Sequence, residues 1–183
     1  MCRASEAPQQ LERSSIMTTI NPVSGHASER TAGSLGRSIA IAGPIIGVLN
    51  AVDMLVFYHL TLNTSPLLFF QYIASGLLGP VAFADGYTSP LLGILIHFAV
   101  AFVVAAVFIL AASWSALLRR TVVVSALVYG AAVYLFMGIV VLPLSAAPKL
   151  STSTPILVNG LVGNAVSIGL PLAIMVWRSS RVN

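Results

Sequence analysis

Five polar side chains lie deep inside apolar stretches of this chain: Asn50, Asp53, His97, Tyr134 and Asn164. Asp53 stands out among them. It sits near the middle of 39–62, an apolar run long enough to cross a bilayer. An ionisable group there is costly, so it must face protein or water and find a partner. An acid and an imidazole on neighbouring membrane helices are the usual physical basis of a proton relay or a pH-sensitive switch. Asp53 and His97 are therefore the leading pair. Asn50 lies one turn from Asp53 on the same face, and Tyr134 and Asn164 complete the candidate binding or relay set. Each has a plainer reading beside the functional one. Asn164 and Tyr134 serve as hydrogen-bonding glue between helices, His97 as a neutral ring bonded to a neighbour, and Asp53 as a protonated structural group. His59 reads as interfacial, and Asp85 before Gly86 reads as a turn residue.

Depth is what groups the five. Asp53 precedes Leu62 by nine residues, His97 follows Pro90 by seven, Tyr134 precedes Pro143 by nine and Asn164 follows Pro155 by nine. At about 1.5 Å per residue, all lie roughly 10–14 Å from one end of their runs. Small residues accompany them at four-residue spacing: Gly93, Ala101 and Ala105 with His97, Gly130 and Gly138 with Tyr134, and Gly160 with Asn164. Such stripes let membrane helices approach closely, which puts the polar groups on packing faces. The recurrence of Gly93/His97 in Gly160/Asn164 hints at two helical hairpins related by a pseudo-twofold axis.

The elements that must position these groups are four apolar runs, at about 38–62, 90–113, 121–143 and 155–177. Ser89-Pro90 and Thr154-Pro155 read as a capping hydroxyl before a first-turn proline. Trp114 and Trp177 close their runs at the interfacial belt. Pro44, Pro143 and Pro171 are expected to kink or end helices. Arg3, Arg13, Arg30 and Arg37 precede the first run, Arg119 and Arg120 separate the second from the third, and Arg178 and Arg181 follow the fourth. Only Lys149 falls in the other connections. The positive-inside rule then puts both termini in the cytoplasm.

The connection at 63–89 holds a further helix, about 66–78, opened by Ser65-Pro66 and ended by Gly79-Pro80. A fifth span here would carry Arg119 and Arg120 outside, so an interfacial or re-entrant helix is expected, either covering the bundle or acting as a lid. Gln71, Ser75 and Gly79 share one face of it. The expected fold is thus all-α: an integral-membrane, antiparallel four-helix bundle with one extra helix on the outer side. Residues 1–37 are polar, lack periodicity and are expected to be a disordered cytoplasmic tail. No apolar core precedes Arg37, so no signal peptide is expected, and Met17 is an alternative start.

Composition agrees. The 183 residues are 57% hydrophobic and only 8% charged, and mean hydropathy is +0.95. Soluble domains are about a quarter charged. The net charge of +4 comes from run-end arginines rather than a basic patch interleaved with aromatics, which excludes nucleic-acid binding. A single cysteine, Cys2, excludes an internal disulfide. No nucleophile motif, phosphate loop or metal spacing is present, and His59 is too shallow to oppose His97 across a haem. Neither a cofactor nor an enzymatic activity is expected. The reading favoured is a polar site around Asp53 and His97 that binds or relays a proton, ion or small solute. The alternative is an accessory or structural protein acting through contacts with partner membrane proteins, with a homodimer plausible for so small a chain.

Gln71-Tyr72-Ile73-Ala74-Ser75-Gly76, His97-Phe98, Pro143-Leu144-Ser145 and Gly169-Leu170-Pro171 resemble a group of uncharacterised four-span bacterial inner-membrane proteins. More broadly, the layout over residues 38–181 is similar to the YagU-like family. The resemblance implies a bacterial inner-membrane location and a four-helix fold, and no established activity. It also implies a histidine in the family where this chain has Asn164, so a titratable member of any shared site is missing here.

Overall fold

The computed structural model describes residues 23–149 and 153–182. The contacts divide the chain into two units at Arg37/Ser38. Helix α1 is Val23–Leu62, so it begins earlier than the expected boundary at 38. The remainder of the expected disordered tail, 1–22, lies outside the described residues. All further description concerns the unit from Ser38 onward.

After a three-residue link come α2, Pro66–Leu78, and a 3-10 turn at Gly79–Phe83. Helix α3 follows at Thr88–Trp114, then a short α4 at Ala116–Arg120. Helix α5, Val122–Phe136, continues through a wide π turn at Met137–Val141 into α6, Leu142–Leu144. Helix α7, Thr154–Asn164, continues through a second π turn at Ala165–Gly169 into α8, Leu170–Val182. The described chain is all helical, with no strand.

Among the described residues, five helical stretches are long and apolar enough to cross a membrane: Gly33–Leu62, Pro66–Phe83, Thr88–Trp114, Val122–Leu144 and Thr154–Arg181. Four correspond to the apolar runs. The fifth joins α2 to its 3-10 turn. Packing has the polarity of a membrane protein. The buried apolar positions are mostly alanine, among them Ala42, Ala74, Ala105 and Ala173, while Leu60, Leu95, Val123 and Ile139 are exposed. Large side chains cover the outside and small ones let the helices meet, as expected where lipid replaces water.

Glycine sets the close approaches. A methyl group on Gly130 would meet the backbone of Ala165, and one on Gly169 would meet that of Ala126. These contacts run α5 antiparallel against α7 and α8. Likewise Gly43 and Gly47 of α1 lie under the rings of Phe102 and Phe98 of α3, and Gly93 of α3 lies on the backbone of Phe70 in α2.

The two π turns share a cause. Each is followed by Leu-Pro-Leu, at Leu142-Pro143-Leu144 and Leu170-Pro171-Leu172. Proline has no N–H to donate, and its ring clashes with the carbonyl four residues back. Widening the preceding turn relieves that clash, and the residue before each proline donates five back instead: Leu142 to Met137 and Leu170 to Ala165. The helix runs on past Pro171 to Val182, whereas past Pro143 it ends at Leu144. Pro44 sits inside α1 without interrupting it.

The capping expectations divide. Ser65 caps α2, accepting from the Leu68 N–H at 3.2 Å. Ser89 instead falls inside α3, fully buried, with its hydroxyl on the carbonyls of Ala82 and Asp85. Residues 82–89 thus form a tight knot. Gln71 adds to it, its amide reaching the Gly86 carbonyl at 3.4 Å. Gln71 and Ser75 are buried, as a shared face requires. Thr154 opens α7, with Ser153 at the cap position but no capping side-chain bond.

A cavity walled by five helices

The structure brings together four of the five candidate residues. A cavity of about 470 Å³ is lined by Asn50, His97, Tyr134 and Asn164, with Met54 and Tyr58 of α1 beside them. Val100 of α3, Met137 and Val141 of the first π turn, and Ile156 of α7 form its apolar walls. Tyr72, Ile73, Gly76 and Leu77 of α2 form another wall. The volume falls in the roughly 300–1,000 Å³ range of small-molecule sites, and a mostly apolar lining with a few convergent polar groups is their usual make-up.

A hydrogen-bonded chain supports the polar part. Asn164 donates its amide to the Gly160 carbonyl at 2.6 Å, and Ser167 donates its hydroxyl to the Gly163 carbonyl at 2.7 Å. Asn50 donates to Asn164 Oδ1 at 3.2 Å and to Ser167 Oγ at 3.1 Å. The Asn50–Asn164 bond joins α1 to α7. Substituting Asn50→Leu should cost about 1–2 kcal/mol of stability. Asn50→Asp, which keeps the shape but sets a carboxylate against two acceptors, should cost more. Thermal unfolding midpoints in detergent check this. A site that required only bulk would reverse the order.

Asp53 is not among the cavity's lining residues. Its carboxyl group turns to α7, beside Asn159 and against Gly163, and its Oδ2 is buried without a hydrogen-bond partner. His97 bonds the Gly47 carbonyl through Nε2 at 2.9 Å, and its ring meets Phe70 and Phe98 edge-on. The expected pairing of Asp53 with His97 is therefore replaced by separate partners. The reason is rotation. Gly47 faces α3, and six residues at about 100° each turn Asp53 some 240° away, toward α7.

Asn159 and Ser167 were not expected at the site. Ser167 lies three residues after Asn164, on the same face, and Asn159 lies four before Gly163, so helical spacing could have found both. Tyr58 and Tyr72 joined the lining through the placement of α2, which spacing along one helix does not reveal. Tyr72 donates its hydroxyl to the Pro148 carbonyl at 3.0 Å. Among the described residues, no group of three His, Cys, Asp or Glu side chains is placed to hold a metal ion.

Comparison with protein-family models, with curated proteins and with solved structures finds no match to this chain. Function must be argued from the cavity itself.

Proposed function

We propose that this is a small multi-pass membrane protein that binds a small, largely apolar solute in the cavity between α3 and α5. The observation that carries the proposal is the cavity's make-up: apolar walls from five helices converging on Asn50, His97, Asn164 and Tyr134. Asp53 acts here as a structural neighbour of α7. Among the described residues Asp53 and His97 have separate partners, so a relay through the two is not carried forward.

The membrane arrangement proposed has four spans, α1, α3, α5 with α6, and α7 with α8, and α2 lies across their outer end. Support comes from the contacts of α2 at both ends. Near its start, Phe69 meets Tyr58, close to the end of α1. Near its finish, the Gly76 carbonyl accepts from the Ala146 N–H at 3.0 Å, just past α6. An element with both ends against the same end of the bundle does not traverse it. The arginine distribution puts that end outside and both termini in the cytoplasm. On this reading α2 roofs the cavity. A bacterial inner-membrane location and kinship with YagU-like proteins are proposed on the short motifs quoted above.

The test is native mass spectrometry of the protein released directly from membranes. The expected result is a discrete adduct of one small species that survives gentle activation. Bare protein with only a heterogeneous spread of bilayer lipids would overturn the proposal.

A further inference from the structure

The hydrogen-bond directions around the cavity limit which polar atoms are left to meet a bound molecule. Carbonyl oxygens only accept, so three backbone carbonyls fix the chain of donors. The Asn164 atom on the Gly160 carbonyl must be its NH₂, which turns Asn164 Oδ1 toward Asn50. Ser167 spends its proton on the Gly163 carbonyl and so accepts from Asn50. Both Asn50 protons are thereby used. Asn50 Oδ1 is left over, with no protein partner among the described residues and without being a buried orphan. His97 repeats the pattern. Its Nε2 faces the Gly47 carbonyl and carries the proton, so in the neutral ring Nδ1 is left as an acceptor. Asn50 Oδ1 and, in the neutral ring, His97 Nδ1 are thus acceptors left over by the protein's own bonds, while Asn164 keeps one N–H beyond its bond to Gly160.

The lining includes no Lys, Arg, Asp or Glu. A carboxylate, phosphate or ammonium head would find no counter-charge there, which is costly. Tyr58 and Tyr134 can each give or take a proton and so do not discriminate. We propose that the cavity selects an uncharged amphiphile whose hydroxyl head donates to Asn50 Oδ1 or His97 Nδ1 while its apolar body lies along Met137 and Val141. The inference rests on the solute-binding reading and names its substrate class.

The experiment uses the full chain in phosphatidylcholine nanodiscs and three photoactivatable probes. They share one alkyl chain and one diazirine and differ only in their heads: primary alcohol, carboxylate or trimethylammonium. Cross-linked peptides are mapped by mass spectrometry. The alcohol probe should label the Met137–Leu142 stretch about tenfold more than either charged probe, the value of roughly one matched hydrogen bond. An excess of unlabelled long-chain alcohol should suppress that labelling. Equal or stronger labelling there by the carboxylate or ammonium probe overturns the head-group assignment and leaves solute binding standing. Labelling confined to lipid-facing positions such as Leu95 and Val123, with all three probes, overturns both.

Discussion

Gly138→Phe should leave the protein folded and its cavity blocked. Gly138 lies on the first π turn and lines the cavity, and a Cβ built there meets nothing within 4 Å. The new ring therefore enters open space rather than a neighbouring backbone. Replacing glycine inside a helix also removes an entropic penalty of roughly 0.5–1 kcal/mol, so assembly and thermal midpoint should hold or rise slightly. Binding should fall by tenfold or more, roughly what a misplaced group in an apolar pocket causes. Native mass spectrometry reads both outcomes in one spectrum. A variant that retains the full adduct would show that the solute sits elsewhere.

Gly130→Val should do the opposite. Gly130 lies in α5, about two turns before Gly138, yet a Cβ there would strike the Cα and N of Ala165. Those atoms belong to the second π turn and cannot swing aside as a side-chain tip can. Gly169 makes the reciprocal contact on the backbone of Ala126, so two glycines form one seam. Overpacking at a rigid seam costs about 3 kcal/mol, the upper part of the usual range, which is a large share of a typical domain's stability. The variant should aggregate or lose its compact elution profile in mild detergent, and Gly169→Val should match it. If Gly130→Val and Gly138→Phe behaved alike, the seam and the cavity would not be distinct.

These contrasts separate what was legible from what was not. Hydropathy located long apolar helices, because a bilayer dictates the length and polarity of a span, though α1 starts well before the expected boundary at 38. Prolines marked several element starts, with Ser65-Pro66 opening α2 as expected. Asn50, His97, Tyr134 and Asn164 do line one space. Rotation about the helix axes was not legible. Asp53 faces α7, because a residue's position along a helix says nothing about its azimuth until the neighbouring helices are known. The π turns were also hidden. Pro143 and Pro171 signalled a disturbance, but kink, break and widened turn share that signal. The fate of α2 depended on contacts remote in sequence, from Tyr58 on one side and Ala146 on the other, which no local pattern encodes.

The most direct test of the central claim is a density map of the wild-type protein in a lipid nanodisc. The account predicts compact non-protein density between α3 and α5, beneath α2 and within hydrogen-bonding distance of Asn50 or His97. A map in which Tyr134 and Met137 close the space, with no density between them, would contradict it.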